Sequence, residues 1–170
     1  MVFTFFFRDA YILEFAVKHV VPFATRRRRV RIGDAGCVMA PEPYSLAIMG
    51  AESMVCHAFR DLAIHAAGVD ESGTFGGIIR SVIYGEDEVR TITGGLLEKH
   101  VVPNCTPGYF QAIDTIREGV VFQKRNLLSF QSAGSDFALI ACNNVFLRSR
   151  HLLEQDAHDC QIFKKVEADK

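Results

Sequence analysis

Between Arg31 and Leu46 the sequence reads RIGDAGCVMAPEPYSL, an alternating run that ends in Asp34-Ala35-Gly36-Cys37 and gives way to a helical pattern near Pro43. That order predicts a strand, a tight turn and a helix N-terminus. In open α/β sheets ligands bind at such junctions, because the backbone turns sharply and the helix start offers unpaired N–H groups to a polar ligand. Gly36 lets backbone approach that ligand, and Glu42 stands in the first helical turn. Other reactive side chains lack such a setting. His151, His158 and Cys160 have no second pair to complete a tetrahedral metal set and read as a solvated helix face, so no metal is expected. Cys56 and His57 have no triad partner at a recognisable spacing and read as structural. Arg26 to Arg29 could touch phosphate, but they read better as a solvated linker entering a strand.

The elements that must position the junction follow from periodicity. Asp9 can cap a helix whose apolar residues Ile12, Leu13, Phe15, Ala16, Val20 and Val21 recur at helical spacing, with Pro22 bending or ending it. Val30 and Ile32 point one way along the next strand, with Asp34 at its end. Glu42 to about Leu62 is helical, and Leu62 to Val69 is a short apolar run suited to a buried parallel strand. Strand, helix, strand is a βαβ unit. Glycines weaken two further helical stretches, Ser72 to Tyr84 and Glu86 to Leu97. Between His100 and Gln123 short alternating pieces around Pro103, Asn104, Pro107 and Gly108 predict a small antiparallel excursion that returns to the main sheet. Asp136 to Cys142 is a further buried strand, and Leu152 to Val166 reads as a closing polar helix. Strands alternating with helices predict an α/β, Rossmann-like parallel sheet in a single domain spanning residues 1 to 170.

Composition narrows the function. The chain has 170 residues and a formal net charge of −1, which gives no global attraction to nucleic acid or to an anionic membrane. Five scattered cysteines without a Cys-x-x-Cys pair indicate a reducing compartment, and a cytoplasmic protein is expected. No run approaches membrane-spanning length, and Arg8 and Asp9 interrupt the apolar start too soon for a signal peptide.

Four blocks, taken together, resemble the catalytic domain of CheR-type chemoreceptor glutamate methyltransferases. Thr4-Phe5-Phe6-Phe7-Arg8-Asp9 is similar to that family's N-x-T-x-F-F-R opening. Ala35-Gly36-Cys37 through Glu42-Pro43-Tyr44-Ser45 is similar to A-G-C-S-T-G-E-E-P-Y-S. Asn126-Leu127-Leu128 is similar to H-N-L-L, and Asp136-Phe137 through Cys142-Asn143-Asn144-Val145 to F-D-L-I-x-C-R-N-V. The blocks occur in the family's order at compatible spacing and cover nearly the whole chain. Departures accompany them: Val38-Met39-Ala40-Pro41 replaces S-T-G-E, and the acidic residue that would hold a cofactor ribose aligns with Gly68, leaving Asp70 nearby. The family's N-terminal helical domain has no counterpart here, and neither do the final strands after its L-x-P-G-G turn.

The resemblance implies a Rossmann-like S-adenosylmethionine methyltransferase sheet with a small antiparallel β excursion and the final strands missing. It implies S-adenosylmethionine as cofactor, and as substrate the cytoplasmic domain of a chemoreceptor, whose glutamates become O-methylated. Arg8 matches a residue at the family's active site and suits orientation of an incoming carboxylate. Thr4, Gly36, Glu42, Asn126 and Asn144 match positions around the cofactor, and Asp70 is a candidate for the ribose. Two other classes remain open: a non-catalytic homologue acting as a binding module, and a truncated product without stable function. With the final strands missing, the strand from Asp136 to Cys142 or its neighbour would be an uncovered edge, through which self-association is expected.

Overall fold

A computed structural model describes residues 5–24, 29–36, 41–68, 81–125 and 136–143, with the backbone of 160–164. Its centre is β1 (Val30–Ala35), which pairs in parallel with β2 (Leu62–Gly68) on one side and with β7 (Phe137–Asn143) on the other. The five-stranded sheet runs β6-β2-β1-β7-β8, with β6 (Val120–Lys124) parallel to β2 and β8 (Cys160–Lys164) antiparallel to β7. Central parallel strands are buried on both faces, which is why they read as apolar runs.

Two helices cover one face. Helix α1 (Ala10–Ala24) turns Leu13, Ala16, Val17, Val20 and Ala24 inward, and α2 (Pro41–Ser53) buries Leu46, Ala47, Ile48 and Gly50. Ile32, Leu46, Ile48 and Ile64 are wholly inaccessible to solvent, and each such side chain contributes about 1.5–3 kcal/mol on burial. Gly50 marks the closest approach of α2 to the sheet. A Cβ there would lie 2.9 Å from Leu62 Cδ2.

A smaller antiparallel sheet, β3-β5-β4, is built from β3 (Ile83–Gly85), β4 (Val101–Pro103) and β5 (Tyr109–Ala112). Short helices α4 (Glu86–Val89) and α5 (Leu96–His100) lie between β3 and β4, while α3 (Cys56–Arg60) precedes β2 and α6 (Asp114–Arg117) joins β5 to β6. The small sheet is fastened to α2 by Glu52, whose Oε1 accepts hydrogen bonds from Lys99 Nζ at 2.7 Å and His100 Nε2 at 2.6 Å. Those donors hold the Glu52 carboxyl below its ordinary pKa.

Several sequence expectations need correction. The polar helix expected over Leu152 to Val166 is not formed across 160–164, where β8 pairs residue by residue with β7 from Leu139↔Lys164 to Asn143↔Cys160. Pairing satisfies the backbone groups of β7, a gain that local helix propensity cannot match. The strand expected to be an uncovered edge therefore has a partner on each side. Pro22 does not end α1, which continues to Ala24. The long helix from Glu42 to about Leu62 is interrupted at Met54 and Val55, between α2 and α3. In the stretch Ser72 to Tyr84, Ile83 and Tyr84 belong to β3, and residues 72–80 lie outside the described residues. Glu86 to Leu97 holds α4 and the start of α5, separated by residues 90–95, with Gly95 at φ +59°.

Ile64 sits in β2, at the middle of this core. Ile64→Ala should lower the free energy of unfolding by about 2–5 kcal/mol, the usual cost of emptying a packed site. Urea titration followed by circular dichroism measures it, and a loss below about 1 kcal/mol would mean that the core collapses around the gap.

Candidate functional site

The carboxyl end of β1 leads into the turn anticipated from the sequence. Gly36 has φ +86°, a conformation that favours a residue without Cβ, and its N–H donates to Ala67 O at 2.7 Å, prolonging the β1–β2 ladder into the turn. After residues 37–40, which lie outside the described set, α2 begins at Pro41 with Glu42 in its first turn.

This helix start differs from the one expected. Pro41 and Pro43 have no N–H, so two of the first four donors of α2 do not exist. The remaining field is opposed by carboxyls. Val30, Ile32 and Asp34 alternate onto the face of β1 covered by α1 and α2, so Asp34 is an ionisable residue at an inward position of an apolar strand. It is 1% exposed. Neither of its carboxyl oxygens has a hydrogen-bond partner among the described residues. Burial first, and then the negative charge of Glu42, raise its pKa well above the ordinary carboxylate range. In register beside it are Ala66 on β2 and Ala141 on β7. A junction with two acids and two prolines is poorly suited to phosphate and well suited to a ligand bearing positive charge and N–H donors.

Arg8 arrives at the same end of α2 by a separate route. Phe7 N–H donates to Ser45 Oγ at 2.9 Å, and Ser45 Oγ donates to Pro41 O at 2.6 Å. Ser45, three residues beyond Glu42, thus ties the N-terminal turn to the first turn of the helix. Phe7 and Asp9, on either side of Arg8, both have positive φ, at 57° and 55°. Non-glycine residues adopt this region at a cost of roughly 1–3 kcal/mol each. Phe6 anchors the turn from below: it is 2% exposed and meets Tyr84 edge-on at 4.8 Å, and Tyr84 in turn faces Tyr44 at 6.3 Å. The Arg8 side chain is 41% exposed and its Nε lies 3.6 Å from Asp9 Oδ2.

Of the seven residues singled out from the sequence, Arg8, Gly36 and Glu42 are described, and the fold brings all three to one end of α2. Thr4, Asp70, Asn126 and Asn144 lie outside the described residues. Asp34 and Ser45 were not among the candidates. A periodicity argument could have found Asp34, because it occupies a position where Val30 and Ile32 predict an apolar side chain. The bond from Ser45 to Phe7, across 38 residues of chain, leaves no trace in local pattern.

A separate cavity of about 930 Å³ lies between the N-terminal turn, α1, the end of α2 and Thr91 to Leu96. It is lined by Met49, Glu52 and Ser53 and not by Glu42. Ten residues of helix separate Glu42 from Glu52, about 15 Å, so this cavity is not the junction. Among the described residues no cluster of three His, Cys, Asp or Glu side chains could hold a metal ion, and no helix is long and apolar enough to cross a membrane.

Comparison with known proteins identifies a family. The family described as "CheR methyltransferase, SAM binding domain" matches residues 2–151. The chain is similar to a chemotaxis protein methyltransferase of Borreliella burgdorferi, 28% identical over 151 residues, covering 85% of this chain and 53% of the relative. It is similar also to chemotaxis protein methyltransferase Cher2 of Pseudomonas putida, 29% identical over 153 residues, and chemotaxis protein methyltransferase 1 of Pseudomonas aeruginosa, 29% identical over 154 residues, each match covering 85% of this chain and 54% of the relative. The chain spans about half the length of the curated relatives it matches. The cofactor implied, S-adenosylmethionine, has a sulfonium, an α-ammonium, an α-carboxylate and no phosphate. With the match extending over 150 of its 170 residues, the chain belongs to the CheR methyltransferase family, of which it holds the S-adenosylmethionine-binding domain.

Proposed function

We propose that this chain takes part in methyl transfer from S-adenosylmethionine to glutamate side chains on the cytoplasmic domain of a chemoreceptor, and so works in the cytoplasm. The observation that carries this reading is the placement of the turn holding Arg8 beside the first turn of α2 that holds Glu42, through the hydrogen bonds of Ser45 to Phe7 N–H and Pro41 O. When bound, the cofactor supplies a methyl group activated by a sulfonium. The acceptor glutamate is ionised at neutral pH, so the site needs no strong general base. Its task is to hold the carboxylate in line and to exclude water.

Each residue then has a role in that task. Arg8 orients the substrate carboxylate through charge-assisted hydrogen bonds. Gly36 allows the backbone close to the cofactor, and Glu42 receives the cofactor's ammonium. Thr4, Asn126 and Asn144 are assigned to its remaining polar edges by their match to the family's blocks, and Asp70 to the ribose hydroxyls. Residues 1–170 act in this scheme as one methyltransferase domain, with the small antiparallel sheet as an insertion that returns to the main sheet at β6.

A second reading, a module that binds the cofactor without catalysis, draws support from Gly68. It closes β2 on the face that carries Ala66, where an acidic side chain would meet the ribose. Methyl transfer to a receptor fragment, assayed with labelled cofactor, separates the two readings: binding without transfer favours the module.

Two substitutions test the assignments. Gly68→Asp should tighten S-adenosylmethionine about tenfold or more, since a hydrogen bond to a charged acceptor contributes about 1.5–3 kcal/mol. A calorimetric titration showing unchanged affinity would remove Gly68 from the ribose position. Arg8→Ala should lower kcat/KM for the receptor fragment by roughly 10–100-fold while cofactor Kd stays within about twofold, the loss expected when a charged partner of the substrate is deleted. Equal losses in both would move Arg8 into the cofactor site.

A further inference from the structure

The turn that carries Arg8 is held from two sides. From α2, Ser45 Oγ accepts the Phe7 N–H at 2.9 Å. From the small sheet, the Tyr84 ring meets Phe6 edge-on at 4.8 Å, and the same ring faces Tyr44 in the first turn of α2 at 6.3 Å. All three rings are 2% exposed, and edge-on pairs of this kind carry an attraction beyond the area they bury. Tyr84 is itself firmly seated. It pairs with Phe110 in the middle of β3, between Ile83 and Gly85, which pair with Gln111 and Tyr109. Two residues earlier, Val82 stands at φ +52° and is 1% exposed, an unfavourable backbone for a β-branched residue that persists only where its surroundings fix it. The contact between Phe6 and Tyr84 thus has left-handed, non-glycine backbone on both sides, at Phe7 and Asp9 on one and at Val82 on the other. The bonds of Glu52 to Lys99 and His100 hold the small sheet to the last turn of α2, so the sheet is seated on that helix at both ends.

We propose that Tyr84 is a positioning residue for methyl transfer: through Phe6 it sets where the Arg8 turn stands over the first turn of α2, which makes the small sheet part of the site's support. This rests on the reading of Arg8 as the group that orients the substrate carboxylate. Buried as it is, Tyr84 acts through the turn and not on the reacting atoms.

The test compares Tyr84→Leu, which removes the ring and keeps an apolar side chain, with Tyr84→Phe, which keeps the ring. Ile64→Ala is the control, because it loosens the core without touching either ring pair, and thermal melting sets a temperature at which every variant is folded. Hydrogen exchange at the Phe7 amide, measured against the Ile32 amide in the main sheet, should speed up about tenfold or more in Tyr84→Leu and stay within about twofold of wild type in Tyr84→Phe. Tyr84→Leu should lower kcat/KM for the receptor fragment by roughly 3–10-fold with cofactor Kd within about twofold, and Tyr84→Phe should restore it. Added to Arg8→Ala, Tyr84→Leu should cost nothing further, since the group it positions is gone. Unchanged exchange at Phe7 in Tyr84→Leu, an equal loss of kcat/KM in the Ile64→Ala control, or a full further loss in the Arg8→Ala background would overturn the proposal and leave the methyltransferase reading intact. If the wild type binds S-adenosylmethionine and transfers no methyl group, the reading of the function fails and takes the proposal with it.

Discussion

The parallel pairing of β1 on both sides is the constraint from which the rest of the structure follows. A strand bonded to β2 and β7 at once cannot tilt or slide by one residue without turning Ile32 and Asp34 to the opposite face. That register fixes where the strand stops, and therefore where the Gly36 turn and the start of α2 stand. It also fixes the sides: the face with Ile32, Ile64 and Leu139 receives α1 and α2, while His65 and Phe137 meet edge-on at 5.6 Å on the other.

On that frame, the ligand preference is decided by a handful of side chains. Two prolines delete donors that a phosphate would use, and Glu42 brings a carboxyl to the helix end where the dipole alone would offer positive charge. The same backbone architecture serves nucleotides elsewhere. Here the residue types set along it turn the junction towards a cation. The cost falls on Asp34, a carboxyl kept away from water at the core's edge, whose pKa burial raises in favour of the neutral form.

What could be read from the chain beforehand divides along physical lines. The strands around residues 62–68 and 137–143 announced themselves as apolar runs, since burial on both faces leaves a composition signal, and the strand at 30–35 as an alternating one. Gly36 and Glu42 were legible because a turn and a helix start restrict residue type locally. The strand β8 was not legible: Cys160–Lys164 is short and set among charged residues, and its conformation is decided by the partner it pairs with. The break between α2 and α3 at Met54 and Val55 was hidden for a similar reason, because the apolar spacing continues through it. Ser45 looked like one helix residue among others, and its importance lies in a contact made far along the sequence.

The turn that carries Arg8 has one further consequence. With left-handed backbone at both Phe7 and Asp9, Phe6 packed below and Phe7 fastened to Ser45, the direction in which Arg8 leaves the chain is settled during folding. Ordering one backbone residue costs about 1–2 kcal/mol of conformational entropy, and here that loss is incurred before any partner arrives. On the proposed reading of Arg8, an incoming carboxylate would meet a guanidinium whose search is confined to its own side-chain torsions. On that reading the turn converts folding free energy into readiness, and variation at Phe6 or Ser45, which hold the turn in place, would be felt first as a slower and less faithful encounter.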